Sequence, residues 1–342
     1  MALRRAHASG IEIVLVTGRR HTFALPIAEQ LGFDLWLISS NGAVTRSLAG
    51  KTFHRDLMPA ETCRRLCGAM QEFRGHTVLT FDKEIKGAIV LERLDELSSN
   101  IRRWLEKNME YIEFVVPIER ALLSDPVQAM FCGTMARMSE ALRALEGAGV
   151  DGSVTILRTE YPERDLSMID VLNTGCSKGH ALERWAAHRG YRREEVMAIG
   201  DNHNDIEMLE FAGHPVIMGN ACEELLGRGW TVTRGNDACG IAAAVDLALG
   251  AETFIVGQWR WLVVRRWSLA NASFDFISVT SRPPGDIGGR RASLLGRGEC
   301  GAAQRVFDSA RAARGGRRHY AALCDCGWIE FRRRSNGRDR TL

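Results

Sequence analysis

The stretch EVMAIGDNHNDIEML, Glu195–Leu209, decides the fold. Its opening run, Val196-Met197-Ala198-Ile199, is short and wholly apolar, as expected of a strand buried on both faces. The run breaks at Gly200 and delivers Asp201-Asn202-His203-Asn204-Asp205. Ile206, Leu209 and Ala212 then recur at helical spacing, so a helix follows the loop. Open α/β sheets bind ligands outside the carboxyl ends of their strands. Two carboxylates delivered there are hard oxygen donors suited to Mg²⁺. Asp201 and Asp205 are therefore candidate metal ligands, although each could instead serve as a helix cap or a first-turn charge.

Outward from this stretch the chain alternates between strands and helices. Ile11–Val16 reads as a buried strand with the loop Thr17-Gly18-Arg19-Arg20 at its end. A helix over His21–Leu31 follows, then a strand over Leu35–Ile38 and the loop Ser39-Ser40-Asn41-Gly42. After Ser177 the same alternation resumes and runs to Leu249. Such alternation predicts a parallel sheet with helices on both faces. Between the two blocks, from Pro59 onward, strand-like segments lie next to one another in sequence, which predicts an α+β domain inserted into the first. The expected organisation is a core of 1–57 and 166–250, an inserted cap over 58–165, and a tail over 251–342.

Composition bounds the reading. The 342 residues are 45% hydrophobic and 25% charged, ordinary for a globular protein, and no apolar run is long enough to span a membrane. Nine cysteines without a framework spacing and no export signal point to reduced thiols and a cytoplasmic location. Cys324-Asp325-Cys326 has no partner pair nearby and is read as incidental. The charge is unevenly spread: residues 251–342 hold 17 arginines, no lysine and eight acids, whereas the first 250 residues hold 28 basic and 34 acidic groups. The tail is read as disordered or frame-shifted sequence. Nucleic-acid binding, if any, is left to its basic residues.

Four loops collect at predicted strand ends or helix starts: Thr17-Gly18-Arg19, Asn41-Gly42, Ser177-Lys178-Gly179 and Gly200–Asp205. Lys178 stands at a helix N-terminus, where free amides and the helix dipole favour an anion. A hydroxyl, a lysine and a carboxylate-held cation together suit phosphoryl transfer, because they hold and neutralise the non-bridging oxygens. Other motifs fail on detail. Position six of an EF-hand needs Gly and has Ile206, and no P-loop or G-x-G-x-x-G spacing occurs.

The pieces VTGR (Val16–Arg19), SNGA (Ser40–Ala43), CSKGHAL (Cys176–Leu182), GDNHNDIEML (Gly200–Leu209) and MGNA (Met218–Ala221), in that order, resemble the haloacid dehalogenase superfamily. Among its members the Cof-type sugar-phosphatase-like hydrolases fit best, over roughly residues 1–250. The resemblance implies a Mg²⁺-dependent phosphatase of a small phosphorylated metabolite. It implies that Thr17 and Lys178 grip the phosphoryl group, that Asp201 binds Mg²⁺, and that Asp205 supports the metal or its waters. Asn204 would contact substrate, and Arg19 and Asn41 would lie near its phosphate. The cap would close over the site and select the leaving group.

The sequence departs from the family at one place that matters. Asp-x-Asp-Gly-Thr, the motif that supplies the family's aspartate nucleophile on a central strand, occurs nowhere in the 342 residues. Asp34 and Asp56 are not followed by the required turn. The chain is accordingly expected to be an N-terminally truncated form in which the sheet lacks its first strand and keeps an unpaired gap. The alternative expectation is a catalytically silent protein that binds a phosphorylated ligand.

Overall fold

In β1 (Glu12–Val16), which follows the helix α1 (Ala2–Ala8), consecutive side chains enter two different cores. Ile13 and Leu15 pack with one set of helices, Val14 and Val16 with another. A strand apolar at every position needs cover on both sides, and that requirement sets the architecture. The computed structural model describes residues 1–149, 152–250, 261–265, 321–324 and 327–330. The chain divides into two units, 1–274 and 275–342.

After β1 come α2 (His21–Glu29), β2 (Trp36–Ser39), β3 (Val44–Ser47) and β4 (Thr52–Arg55). The inserted region holds α3 (Ala60–Ala69), β5 (Thr77–Thr80), β6 (Ile89–Leu91), α4 (Ser99–Glu106), β7 (Ile112–Phe114), β8 (Gln128–Gly133), α5 (Met135–Gly147), β9 (Val154–Tyr161) and β10 (Leu166–Asn173). The chain then returns through α6 (Lys178–Arg189), β11 (Val196–Gly200), α7 (Ile206–Phe211), β12 (His214–Ile217), α8 (Glu223–Leu226), β13 (Thr231–Val232) and α9 (Gly240–Gly250). The last strands are β14 (Trp261–Arg265), β15 (Ala321–Cys324) and β16 (Gly327–Glu330). β15 and β16 form an antiparallel pair, the described part of the second unit.

The core sheet has the order β13-β12-β11-β14-β1-β2-β3-β4. It is parallel from β13 to β2. Helices α1, α2 and α9 cover one face through Ala6, Ala28 and Val245. Helices α6, α7 and α8 cover the other through Leu182, Leu209 and Leu225. Each large aliphatic side chain so buried contributes roughly 1.5–3 kcal/mol. The expected α/β sheet with helices on both faces is present, with three differences.

The stretch after β2 is not only a loop: β3 and β4 extend the sheet as an antiparallel hairpin. The boundary placed between 165 and 166 cuts in the wrong place, because Leu166–Asn173 pairs with β8 and β9 in the second sheet. Its apolar run reads like a core strand, but its neighbours in sequence are antiparallel partners. The third difference concerns the expected gap. The slot between β1 and β11 is filled by β14, parallel to both, with Val14 opposite Val263 and Val263 opposite Ala198. Two facing strand edges present unpaired amides and carbonyls, and the β-branched, aromatic-bearing run Trp261–Arg265 satisfies both. For these five residues the reading of the tail as disordered is overturned, as it is for the β15–β16 pair. The rest of 251–342 lies outside the described residues.

The second sheet, β7-β6-β5-β8-β10-β9, is covered by α3 and α5 on one face through Cys63, Leu66, Ala141 and Leu145. On the other face α4 covers only part, packing Ile101 and Leu105 over Val78, Ile89 and Leu91. Phe23 of α2 joins this cluster, edge-on to Trp104 at 5.3 Å and to Tyr111 at 5.6 Å. The remainder of that face, where Gln128 and Asp170 stand, meets the loops at the carboxyl ends of the core strands.

Candidate active site

β1 ends at Val16, and the Thr17 amide donates to the Ile38 carbonyl at 2.8 Å, which ties the loop after β1 to β2. Thr17 Oγ1 accepts from the Arg19 amide at 3.1 Å, and the Thr17 carbonyl accepts from the Asn41 amide at 3.1 Å. After β2 the chain passes through three consecutive positive φ values, Ser40 at 50°, Asn41 at 55° and Gly42 at 111°. Two non-glycine residues in the left-handed region store strain that the surrounding contacts must hold. Glycine is required at position 42, because a Cβ there would stand 2.2 Å from the Ser177 carbonyl oxygen. The turn thus brings Gly42 against the start of α6.

Ser177 caps α6, its Oγ accepting from the His180 amide at 3.1 Å, and Lys178 is the first helical residue. The Lys178 side chain is fully buried and its Nζ donates to Asp205 Oδ1 at 2.8 Å. Asp205 Oδ2 accepts from the amides of Asp201 at 3.0 Å and Asn202 at 3.1 Å. Asn202 answers by accepting from the His203 amide, so the loop after β11 closes as a reciprocal cap. Gly200 admits this closure, since a Cβ there would lie 2.7 Å from the Asp205 Cβ.

The two halves meet at Asn41. Asn204 Nδ2 donates to Asn41 Oδ1 at 3.0 Å, and Asn41 Nδ2 donates to Asp170 Oδ2 at 2.9 Å. Gln128 Nε2 donates to Asp170 Oδ1 at 3.0 Å. The residues singled out in the sequence, Thr17, Arg19, Asn41, Lys178, Asp201, Asn204 and Asp205, therefore stand in linked loops at one end of the core sheet. Burial pushes the Asp170 carboxyl up to about 6, against the Asn41 hydrogen bond and the Lys178 charge, which pull it down. Asp170 and Gln128 were not identified from the sequence. The available signal was a lone acidic residue inside the apolar run Met168–Leu172, which only a partnered buried carboxylate explains.

A second seam lies alongside. Arg20, next to Arg19, donates to the carbonyls of Phe81 at 3.3 Å and Lys83 at 2.6 Å, and burial lowers its pKa. Asp82, between those carbonyls, pairs with Arg46 at 2.7 Å and Arg55 at 2.6 Å. His203, in the loop after β11, pairs with Glu224 at 3.0 Å. Among the described residues no three His, Cys, Asp or Glu side chains cluster as a ready-made metal site. Both Asp205 oxygens are engaged, Oδ1 by Lys178 and Oδ2 by two amides, and Asp201 stands in the same loop at the end of β11.

Comparison with known proteins agrees with the geometry. A family model described as haloacid dehalogenase-like hydrolase matches residues 1–245. The phosphatase YwpJ of Bacillus subtilis strain 168 is 29% identical over 257 residues, covering 70% of this chain and 89% of YwpJ. The pyridoxal phosphate phosphatase YbhA of Escherichia coli K12 is 29% identical over 245 residues, covering 70% of this chain and 87% of YbhA. A solved haloacid dehalogenase-like hydrolase from Bacteroides thetaiotaomicron superposes with a TM-score of 0.58 at 26% identity, over 72% of this chain and 90% of that one. The ordered loops, the sheet that carries them and the match over most of the chain lead to one assignment. The chain belongs to the haloacid dehalogenase-like hydrolase family, in its Cof-type branch.

Proposed function

We propose that the site acts on the phosphoryl group of a small phosphorylated metabolite in a Mg²⁺-dependent phosphatase reaction. The observation that carries this reading is the buried Lys178–Asp205 pair, set beside Asp201 and the strained Asn41 turn at the carboxyl ends of the strands. No bound anion is needed to hold Lys178 there, because Asp205 fixes it in advance. Preorganised charge of this kind stabilises a phosphoryl group without reorganisation during the reaction. In this reading Thr17 and Lys178 hold the non-bridging oxygens, while Arg19 and Asn41 steady the phosphate. Asn204 contacts the ligand while bracing Asn41.

Mg²⁺ usually takes one or two protein carboxylates and fills its remaining positions with water and phosphate oxygens. The donor set fits that pattern, with Asp201 as the protein carboxylate and Asp205 behind it, and the ion would neutralise phosphate charge. The cap closes the site to water and sets the leaving group. A cytoplasmic location belongs to the same reading. Six cysteines are free thiols among the described residues, and no described helix is long and apolar enough to cross a membrane.

Hydrolysis through an aspartyl-phosphate needs an attacking carboxylate. None of the 342 residues stands in an Asp-x-Asp-Gly-Thr motif, and the slot between β1 and β11 carries Trp-Leu-Val-Val-Arg. That observation favours a second reading, in which the chain binds a phosphorylated ligand without turning it over. Two measurements on the 342-residue chain decide between them: p-nitrophenyl phosphate hydrolysis with Mg²⁺, and calorimetric binding of inorganic phosphate. Binding lost in Lys178→Met with no turnover supports the silent reading, and Mg²⁺-dependent turnover supports the phosphatase. Absence of both overturns the phosphate site. Nucleic-acid binding through the tail concerns residues that lie almost wholly outside those described.

A further inference from the structure

The chain of side chains Asn204–Asn41–Asp170–Gln128 crosses from the core sheet to the cap sheet, and all four members are buried. Asn204 and Asn41 lie on the core loops, while Asp170 and Gln128 lie on β10 and β8. Asn41 sits at a φ of 55°, in the left-handed region that asparagine tolerates better than most L residues but that is still less favourable than right-handed backbone. Its side chain is pinned from two sides, by the donor Asn204 and the acceptor Asp170. Asp170 in turn is held by Gln128 from the adjacent strand, so its oxygens are not free to rotate away.

We propose that Asp170 is a cap-borne positioning residue: it fixes Asn41 in its strained, phosphate-facing conformation when the cap sits on the core, and so couples cap position to phosphate affinity. The proposal rests on the phosphate reading for its ligand, but the coupling itself does not. When the cap lifts, Asn41 loses the acceptor for its Nδ2, and the turn Ser40–Gly42 loses the contact that opposes its strain. Asp170 touches no reacting group and acts through Asn41.

Two substitutions separate orientation from charge. Asp170→Asn keeps an acceptor for Asn41 Nδ2. By donating to Gln128 Oε1, which has no hydrogen-bond partner among the described residues, it keeps the second anchor as well once that amide turns over. Asp170→Ala removes both anchors. The first readout is hydrogen–deuterium exchange at the amides of Asn41 and Ala43, both hydrogen-bonded in the turn, without ligand. Asp170→Ala is expected to speed exchange there roughly tenfold, while Asp170→Asn stays close to wild type. The second readout is inorganic phosphate affinity by calorimetry. Asp170→Asn, which removes a negative charge near Lys178, is expected to bind at least as tightly as wild type. Asp170→Ala is expected to bind roughly tenfold more weakly than Asp170→Asn.

If Asp170→Ala does not fold, Gln128→Leu takes its place, leaving Asp170 with one anchor, and it should move both readouts in the same direction. Equal exchange in wild type, Asp170→Asn and the disrupting variant overturns the coupling. Equal phosphate affinity in the two Asp170 variants reduces Asp170 to a bystander charge and overturns the positioning role. A wild-type chain that binds no phosphate counts against the proposed function instead, and the exchange experiment still decides the coupling.

Discussion

Two carboxylates are buried near Lys178, and they are kept by different means. Asp205, in the loop after β11, has the lysine ammonium on one oxygen and two backbone amides on the other. Asp170, on the cap, has among the described residues the neutral amides of Asn41 and Gln128, with the Lys178 charge acting at a distance. A buried charge is tolerated only when it is paired and hydrogen-bonded. Asp205 meets both conditions within the core domain, through its own loop's amides and Lys178 at the start of α6, so it can be part of a rigid floor. Asp170 meets one, and its carboxyl is pushed up to about 6 by burial. The floor is settled by the core alone, whereas the roof depends on contacts between two sheets.

The largest expected effect comes from breaking the floor. Lys178→Met leaves the buried Asp205 without its ammonium partner, and Asp205→Ala takes this carboxylate from a fully buried ammonium. Removing one partner of a buried pair typically costs about 3–5 kcal/mol. Each single variant should therefore unfold at markedly lower denaturant, measured by urea titration. The Lys178→Met/Asp205→Leu double variant should recover most of the loss. A single variant as stable as wild type would show that the pair is not the anchor of the loop.

The roof predicts a pH dependence of the opposite sense to an ordinary ion-paired aspartate. The Asp170 carboxyl is raised above its ordinary value of 3.8 to about 6 in the folded chain. Between these values the folded state holds a proton that the unfolded state has lost. Its contribution to stability is fully present below pH ~4 and is lost as pH rises through ~6, an effect of about 2–3 kcal/mol. Asp170→Asn should flatten that slope and be the more stable protein at pH 7, with little difference at pH 4. Stability measured by denaturant at several pH values gives the comparison. A wild-type slope of the same size retained in Asp170→Asn assigns the titration to another group.

The difference between floor and roof also explains what the sequence disclosed. Gly200–Asp205 and Ser177–Lys178 are local: strand, glycine, carboxylates and helix cap follow one another along the chain, and periodicity with turn chemistry reads them directly. Asp170 was hidden because its partners Asn41 and Gln128 lie 129 and 42 residues away. The β3–β4 hairpin was missed because its short strands, Val44–Ser47 and Thr52–Arg55, carry too little alternation to outweigh a loop reading. The slot beside β1 shows the same limit in the sheet itself. The position beside β1 is occupied by Trp261–Arg265 through pairing with β1 and β11, from outside the alternating block. Local patterns were legible, and long-range pairings were not.

A third carboxylate, Asp82, tests whether direct cation pairing or burial sets the difference. It joins the cap's β5–β6 connection to the core hairpin through Arg46 and Arg55. Arg46 is slightly more buried than Asp82, with side-chain exposures of 10% and 14%, and its Nε also donates to Thr52 Oγ1 at 2.8 Å. Arg55 reaches the same carboxylate with half its side chain in water, at 52% exposure. If burial sets the value of a pair, the two arginines are unequal partners of one oxygen. Arg46→Ala should cost about 1–2 kcal/mol, since a charge-assisted bond and packing are lost together. Arg55→Ala should cost under ~0.5 kcal/mol and less still in high salt, as for exposed ion pairs. Thermal unfolding at low and high salt compares them. Equal losses would mean that direct pairing outweighs burial at this seam, and the contrast drawn between Asp205 and Asp170 would then rest on the lysine alone.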